Sequence, residues 1–182
     1  MPGVRTVDSD RFIGMLPSAF PRLRAGVRAI VLDEQDRILL CRWAFDKPEG
    51  SIVVWGTPGG GIEPGETPLA ALRRELTEEI GLALIADPPH VWHQEVVREG
   101  HITGFDGVVN DIFLVRTTAF DPRGAMTDEE LAAENISEFR WWTQQELTQY
   151  RGTDLFAPRA LPAALAALLV DGLPGQPIPM GL

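Results

Sequence analysis

The strongest structural signal in this chain is one amphipathic helix that directly follows a loop rich in glycine and proline. Four apolar residues recur in the helical segment at intervals of three and four positions, so they form one stripe on a helix. The stripe consists of Leu69, Leu72, Leu76 and Ile80. Thr67 is suited to cap this helix, Pro68 to open it and Gly81 to end it. The helix is therefore expected to bury one face against another layer of the protein.

Segments with the composition of strands lie on both sides of this helix. Strands are predicted at 26–32, 37–43, 52–55, 91–97, 108–117 and 138–142. Two capping boxes that begin at Thr127 and Thr143 predict short helices, and a last helix is expected over 162–170. The segment 100–107 is interpreted as a glycine-rich connection. This order of elements indicates an α/β fold with helices on both faces of a mixed sheet.

The length of 182 residues fits one folded domain. We expect this domain over residues 22–172, after an irregular N-terminal arm over 1–21. The proline-rich tail over 173–182 is also expected to be irregular. The sequence leaves open whether the chain forms a homodimer.

Charge and hydropathy restrict the partners of the chain. The net charge of −10 disfavours binding to nucleic acid and to anionic membranes, because both attract positively charged proteins. The longest apolar stretch, 163–170, is too short to span a membrane. The single cysteine, Cys41, lies in an apolar run and is expected to be a buried thiol in a reducing compartment. We therefore expect a cytoplasmic protein with no membrane partner.

Three glutamates share one side of the helix beside the apolar stripe. Glu75, Glu78 and Glu79 stand at positions i, i+3 and i+4, without a basic residue among them. Carboxylates at this spacing repel one another by a few tenths of a kcal/mol per pair. Clustered carboxylates without His or Cys suit Mg²⁺ or Mn²⁺. On these residues alone, a metal site and an acidic solvent-facing surface explain the pattern equally well.

The loop before the helix favours the metal site. Its residues 57–61 include three consecutive glycines, whose backbone can approach a ligand or offer a carbonyl to a metal ion. Glu63 and Glu66 add two carboxylates just before the helix. A tight turn alone would account for the glycines, but their spacing from the acidic helix makes the combination specific.

Together these residues resemble the signature of the Nudix hydrolases. That signature reads Gly, five residues, Glu, seven residues, then Arg-Glu-aliphatic-x-Glu-Glu-x-Gly-aliphatic. Every fixed position has a match between Gly60 and Leu82. The matching residues are Gly60, Glu66, Arg74, Glu75, Leu76, Glu78, Glu79, Gly81 and Leu82. The resemblance implies a Nudix-type α/β/α sandwich with a central mixed sheet, and a pyrophosphohydrolase that acts on phosphorus-containing anhydrides.

The resemblance also implies a role for each matching residue. The implied metal ligands are Glu75, Glu78, Glu79 and the carbonyl of Gly59. Glu66 matches a supporting carboxylate, and Arg74 matches the arginine that orients the catalytic glutamates. The implied cofactor is Mg²⁺, with Mn²⁺ as a substitute. The implied reaction is attack of water on phosphorus in a nucleoside diphosphate linked to another moiety.

The resemblance leaves the general base open. Some family members use a box glutamate, which is Glu78 here, and others use a glutamate on the loop before the last strand. Glu134 is the first candidate on that loop because of its distance from Trp141. A solvated helix end explains Glu134 better than a catalytic role does. The other candidates are Glu129, Glu130 and Glu138.

A few further residues are candidates on weaker grounds. Arg42 resembles the position where some relatives bind phosphate, although arginines at strand ends are often surface residues. Trp55 suits stacking on a nucleobase, and core packing explains it better. His90, His93 and His101 have no metal-like spacing and are expected to be structural.

Two other functions compete with hydrolysis. A Nudix-like domain that senses a nucleotide without cleaving it is the main alternative, but such domains commonly lose box residues that this chain keeps. The isoprenoid diphosphate isomerase branch uses an active-site cysteine, whereas Cys41 lies in an apolar strand. Residues typical of the enzymes for ADP-ribose, dinucleoside polyphosphates and NADH are missing at their expected positions. RNA 5′-end processing stays an alternative that the net charge of −10 disfavours. A nucleoside triphosphate or a nucleotide sugar remains as the expected substrate.

Overall fold

The computed structural model describes residues 20–47, 50–102 and 104–181, and these form eight strands and four helices. The strands are β1 (Leu23–Leu32), β2 (Ile38–Lys47), β3 (Gly50–Gly56), β4 (His90–Ile102), β5 (Phe105–Arg116), β6 (Ile136–Trp142), β7 (Leu155–Ala157) and β8 (Ile178–Met180). The helices are α1 (Pro68–Ile80), α2 (Asp128–Ala133), α3 (Gln144–Gln149) and α4 (Leu161–Asp171).

The strands form one mixed sheet, as predicted. Their order is β7-β3-β2-β1-β5-β4-β8, and β6 pairs with β2. β1 pairs with β5 in parallel along its whole length, from Leu23 opposite Gly107 to Leu32 opposite Arg116. At its carboxyl end β1 also pairs antiparallel with β2, so the two predicted strands form a hairpin. β1 therefore lies in the middle of the sheet.

Alternating residues of β1 fill two separate cores. Val27, Ala29 and Val31 belong to the core beneath α1, and Ile30 and Leu32 belong to the core on the opposite face. From α1 the first core receives Ala71, Leu72, Leu76 and Ile80. The second core contains Leu147 of α3 and Leu161, Leu165 and Leu168 of α4. Helices thus cover both faces of the sheet, which is the three-layer α/β/α arrangement that the sequence predicts.

The ends of α1 lie where the sequence predicts them. Thr67 caps the amino end, and its Oγ1 accepts a hydrogen bond of 3.2 Å from the Ala70 N–H. Gly81 closes the helix with φ of 73°, a left-handed conformation that glycine adopts without strain. The N–H of Leu82 then donates to the Leu76 carbonyl at 3.0 Å. These caps fix the register of the glutamates along the helix.

The structure differs from the sequence prediction in three segments, one of which is β7, a strand that the sequence does not predict and that pairs in parallel with β3. The predicted connection over 100–107 is largely strand, because β4 and β5 continue until Ile102 lies opposite Phe105. Part of the tail is also ordered, since β8 pairs in parallel with β4. Pro179 is tolerated in β8 because an edge strand does not need every N–H for pairing. The predicted arm falls almost entirely outside the described residues, and the division at 22 and 172 stays a prediction.

None of the helices in the described part of the chain is long and apolar enough to cross a membrane.

Candidate active site

The loop between β3 and α1 lies along β1 as if it were another strand. Val27 N–H donates to the Gly60 carbonyl and Ala29 N–H to the Pro58 carbonyl, each at 2.9 Å. Gly59 has φ of 124°, which disfavours any residue with a side chain. A Cβ at this position would also lie only 2.4 Å from the Val27 carbonyl oxygen. The glycine is therefore required for the loop to approach the sheet.

Helix α1 directs two of its glutamates into this loop. Glu79 is 1% exposed, and its Oε2 accepts a hydrogen bond of 2.8 Å from the Gly59 N–H. Glu75 is also buried, and a Cβ at Gly60 would lie 2.3 Å from its Oε1. The absence of a side chain at Gly60 thus makes room for this carboxylate.

Burial makes the negative charges of both glutamates costly. It raises the pKa of Glu79 to about 7, although Arg28 and the Gly59 N–H act in the opposite direction. Burial also raises the pKa of Glu75 against the hydrogen bond from Arg74. A divalent cation would offset this cost, and carboxylate and carbonyl oxygens are the ligands that Mg²⁺ and Mn²⁺ prefer. The donor set of this site therefore fits such an ion.

Arg74 connects the remaining carboxylates of the site. Its Nε and Nη2 donate to the two oxygens of Glu66 at 3.0 and 2.9 Å. Its Nη1 donates to Glu75 at 2.8 Å and to Glu78 at 3.2 Å, and Nη2 also bonds the Gly61 carbonyl at 3.0 Å. The hydrogen bonds from Arg74 lower the pKa of Glu66. Arg74 lies outside both cores and beside Glu78, as expected from the helical spacing.

One nitrogen of Arg74 bridges two of the box carboxylates. Its Nη1 lies between Oε1 of Glu75 and Oε2 of Glu78, whose side chain is 42% exposed. The box glutamates do not form a set of three whose oxygens all lie within 4.8 Å, as judged over the described residues. An ion bound here would therefore require these side chains to close around it.

Arg28 is a residue of this site that the sequence analysis missed. Its guanidinium donates to the carbonyl of Gly59, an implied metal ligand, and lies 5.4 Å from the centre of the Trp43 ring. Its positive charge lowers the pKa values of Glu75 and Glu79, against the larger effect of burial. The sequence feature that could have indicated Arg28 is its position as a single arginine within the apolar strand predicted at 26–32.

Glu134 is the first candidate for a general base on the loop before the last strand, and that role stays a prediction. It is the exposed C-cap residue of α2. Burial is the main cause of the raised pKa values of Glu75 and Glu79, and the negative charge of Glu134 adds to both shifts. Glu130 instead serves the capping box of α2, where its Oε2 accepts from the Thr127 N–H at 2.8 Å.

The other candidates lie further from the glutamates or in the core. Arg42 donates to Ser137 Oγ on β6 at 3.0 Å, and its phosphate-binding role stays a prediction. Trp55 is buried in the core and donates to Asp154 at 2.9 Å, which confirms the packing interpretation. Cys41 is a buried free thiol, as predicted.

Two of the histidines lie closer together than their spacing in the sequence indicates, and their expected structural role stays a prediction. The structure brings His90 and His93 together beside Asp111, with 6.4 Å between the centres of the two rings. A β-bulge in β4, which the spacing in the sequence does not indicate, is the cause. The side chain of His101 lies outside the described part of the structure.

Comparison with known proteins agrees with this architecture. The model of the NUDIX domain matches residues 22–163. A nucleoside triphosphatase, NudI of Escherichia fergusonii, is 36% identical over 116 residues, which cover 62% of this chain and 77% of NudI. An RNA pyrophosphohydrolase of Francisella philomiragia is 46% identical over 59 residues, but these cover only 32% of this chain and 34% of that enzyme.

A solved structure shows the same fold. The MutT NUDIX hydrolase from Burkholderia pseudomallei superposes with a TM-score of 0.54 and 23% identity, covering 80% of this chain and 97% of that protein. The matched family domain, the complete signature and the α/β/α fold lead to one conclusion. The chain belongs to the Nudix family and is a Nudix pyrophosphohydrolase.

Proposed function

We propose that this enzyme uses Mg²⁺ to hydrolyse the diphosphate linkage of a nucleoside triphosphate, a nucleoside diphosphate linked to a further phosphate. The observation that carries the proposal is the burial of Glu75 and Glu79 against a glycine loop, next to an arginine that bonds two further carboxylates. The similarity to a nucleoside triphosphatase over 116 residues supports this substrate over a nucleotide sugar.

The proposed ligands are three carboxylates of α1 and one carbonyl of the glycine loop. They are the carboxylates of Glu75, Glu78 and Glu79 and the carbonyl of Gly59. When bound, Mg²⁺ supplies positive charge to the phosphate oxygens and acidifies a water molecule, and Mn²⁺ can replace it. Such a cation also makes the negative net charge of the chain compatible with an anionic substrate.

The proposed role of Arg74 is to position carboxylates. Its bidentate pair with Glu66 fixes the plane of the guanidinium. The remaining nitrogen then holds Glu75 and Glu78 at 2.8 and 3.2 Å. Glu66 acts through this pair and is the supporting carboxylate of the site.

The proposed general base is Glu78, and Glu134 is the alternative. Glu78 belongs to the cluster and is exposed enough to meet water, whereas Glu79 and Glu75 are buried. Glu134 is exposed at the end of α2, and its charge acts on the same two glutamates. A base must accept the proton of the attacking water as the bond to phosphorus forms.

A substrate panel tests the proposed activity. Purified enzyme is incubated with nucleoside triphosphates, nucleotide sugars or 5′-triphosphorylated RNA, and the products are separated by chromatography. With MgCl₂ we expect a nucleoside monophosphate and pyrophosphate from the triphosphates, and no turnover in excess chelator. Full turnover in chelator would contradict the metal site. Binding of all the nucleotides without cleavage would instead indicate a sensing domain.

Variants of the two candidate bases test the proposed roles. Glu78→Gln is nearly isosteric, and we expect it to lower the turnover rate on the order of a thousandfold while the protein stays folded. If Glu78 is the base, the Glu134→Gln enzyme should retain most of the wild-type turnover rate. Asp128→Asn, at an exposed position on the same helix that is not among the candidate bases, is the matched control. A Glu78→Gln enzyme with more than about a tenth of the wild-type rate would refute this assignment.

The proposed partner is a small nucleotide, and neither nucleic acid nor membrane is part of the proposal. The cytoplasmic location stays a prediction, and whether the chain forms a homodimer stays open. Preferential turnover of the RNA substrate in the panel would overturn the proposed substrate class.

A further inference from the structure

A β-bulge in β4 changes the direction of its side chains next to β5. In a regular strand His90 and His93 would lie on opposite faces, because they are three positions apart and side chains alternate between the faces. The register between β4 and β5 shifts between His90 and Trp92. As a result, both imidazoles lie on one face of the sheet beside the same neighbour.

That neighbour is Asp111 of β5, which lies opposite His93 in the strand register. Asp111 Oδ1 is 2.8 Å from His93 Nδ1 and 3.3 Å from His90 Nε2. His90 Nε2 is also 2.9 Å from the carbonyl oxygen of Trp92. One nitrogen from each imidazole and one carboxylate oxygen all lie within 4.8 Å of one another. Two strands thus bring three potential metal ligands together.

We propose that His90, His93 and Asp111 form a zinc site that is separate from the candidate active site. Two imidazoles and one carboxylate suit zinc better than magnesium, and three protein ligands leave a fourth position open. Zinc bonds of about 2.0–2.2 Å in a tetrahedron place neighbouring ligand atoms roughly 3.3 Å apart. The separations of 2.8 and 3.3 Å from Asp111 are close to this value, and the two imidazole nitrogens lie within 4.8 Å of each other.

The surroundings of the three residues allow an ion to enter. The side chain of His93 is 42% exposed, and those of His90 and Asp111 are 30% exposed. The His90 ring stacks on Phe113, with 5.0 Å between the ring centres, which limits its rotation. Without metal, His90 Nε2 donates a hydrogen to the Trp92 carbonyl. Zinc replaces this proton on binding.

The site is separate from the glycine loop because β1 lies between them. β5 pairs with one edge of β1, and the loop over 57–61 bonds the other edge. On the far side of β4, Pro179 of β8 pairs with His93. Zinc would therefore join β4 to β5 at the level where β8 is attached. Because it binds only the folded chain in this geometry, zinc raises the thermal stability.

Calorimetric titration with ZnCl₂ tests the proposal. An excess of MgCl₂ is present throughout to compete with zinc at the carboxylates of α1. We expect one zinc ion per chain and a higher melting temperature with zinc. His93→Asn and Asp111→Asn should each weaken zinc binding by at least about tenfold. His101→Asn, at the far end of β4, is the matched control and should bind zinc as the wild type does.

Two results would overturn the proposal. One is equal zinc affinity of the wild type and the folded His93→Asn variant. The other is loss of zinc binding in Glu78→Gln, which would place the ion at the active site. Circular dichroism without zinc establishes that each variant is folded. If the variants do not fold, the imidazole ¹⁵N resonances of the wild type decide: zinc-dependent shifts of His90 and His93 support the site, and unchanged resonances refute it.

Discussion

Arg74 is the residue on which the candidate active site depends most. One guanidinium donates to Glu66, Glu75 and Glu78, so the position of each carboxylate is linked to the other two. The planar group supplies two parallel bonds to Glu66 and keeps a third nitrogen for the helix glutamates. An ammonium group carries the same charge but lacks this fixed geometry.

We therefore expect Arg74→Lys to fold normally and to slow turnover by more than about tenfold at saturating MgCl₂. Steady-state rates of the two enzymes, measured side by side, provide the test. Arg73→Lys is the matched control, because Arg73 pairs with Asp87 at the surface, away from the glycine loop. Equal rates for wild type and Arg74→Lys would show that the arginine does not position the glutamates.

For individual residues, the sequence predicts the neighbours along α1. It misses the residues that other elements bring to the site. The helical period places Arg74 beside Glu78, and the structure agrees. Arg28 bonds the Gly59 carbonyl across 31 positions, and that contact exists only because the loop lies along β1. No local pattern contains this information. The same limit applies to Asp111 and His93, whose proximity depends on a register between two strands.

Among the elements, the turn between β1 and β2 depends on a buried carboxylate. Asp33 Oδ1 accepts from the N–H groups of Gln35 and Arg37 at 2.9 and 2.8 Å, and Oδ2 accepts from Arg37 Nε at 2.6 Å. Burial acts to raise the pKa of Asp33, but these hydrogen bonds together lower it below its ordinary value.

This lowered pKa predicts a pH-dependent effect of Asp33→Asn. The charged form stabilises the folded state above the ordinary pKa of about 3.9, and this contribution disappears as the pH falls through the lower folded-state value. At pH 7 we expect the variant to lose about 1–3 kcal/mol of unfolding free energy. The difference from wild type should shrink below about pH 4.

Equilibrium unfolding in urea at several pH values measures this difference. Asp36→Asn is the control, because the exposed pair of Asp36 with Arg116 contributes at most about 1 kcal/mol. Asn also tolerates the left-handed conformation of Asp36, with φ of 57°. A difference between Asp33→Asn and wild type that persists unchanged at low pH would show that the charge of Asp33 is not responsible.

For the whole molecule, the C-terminal segment contributes to the sheet. Met180 is buried in the core beneath α3 and α4, and the Gly181 carbonyl accepts from Gln94 at 2.9 Å. Proline content suggested an irregular tail because proline disfavours central strands. The sequence does not indicate that the edge of β4 is available for one more strand.

We expect a chain that ends at residue 172 to fold but to lose stability. Burial of a methionine side chain alone contributes about 1.5–3 kcal/mol, so the melting temperature should fall by several degrees. Met180→Ala should reproduce much of this loss, whereas Ile178→Ala, at a position that is 46% exposed, should lose less. Differential scanning calorimetry compares the three proteins with wild type. Equal melting temperatures would support a domain that is complete at residue 172.

The parallel pairing of β1 with β5 also determines when this protein can fold. The two strands lie side by side although their residues are far apart in sequence, and Arg22 bonds Asp106 across 84 positions. Chains with such distant contacts fold slowly, because a long loop must close before the contacts form. During synthesis on the ribosome, β1 cannot pair with β5 until β5 has emerged, so the apolar side chains of β1 stay incompletely buried. This interval is when a nascent chain of this family member is most exposed to aggregation.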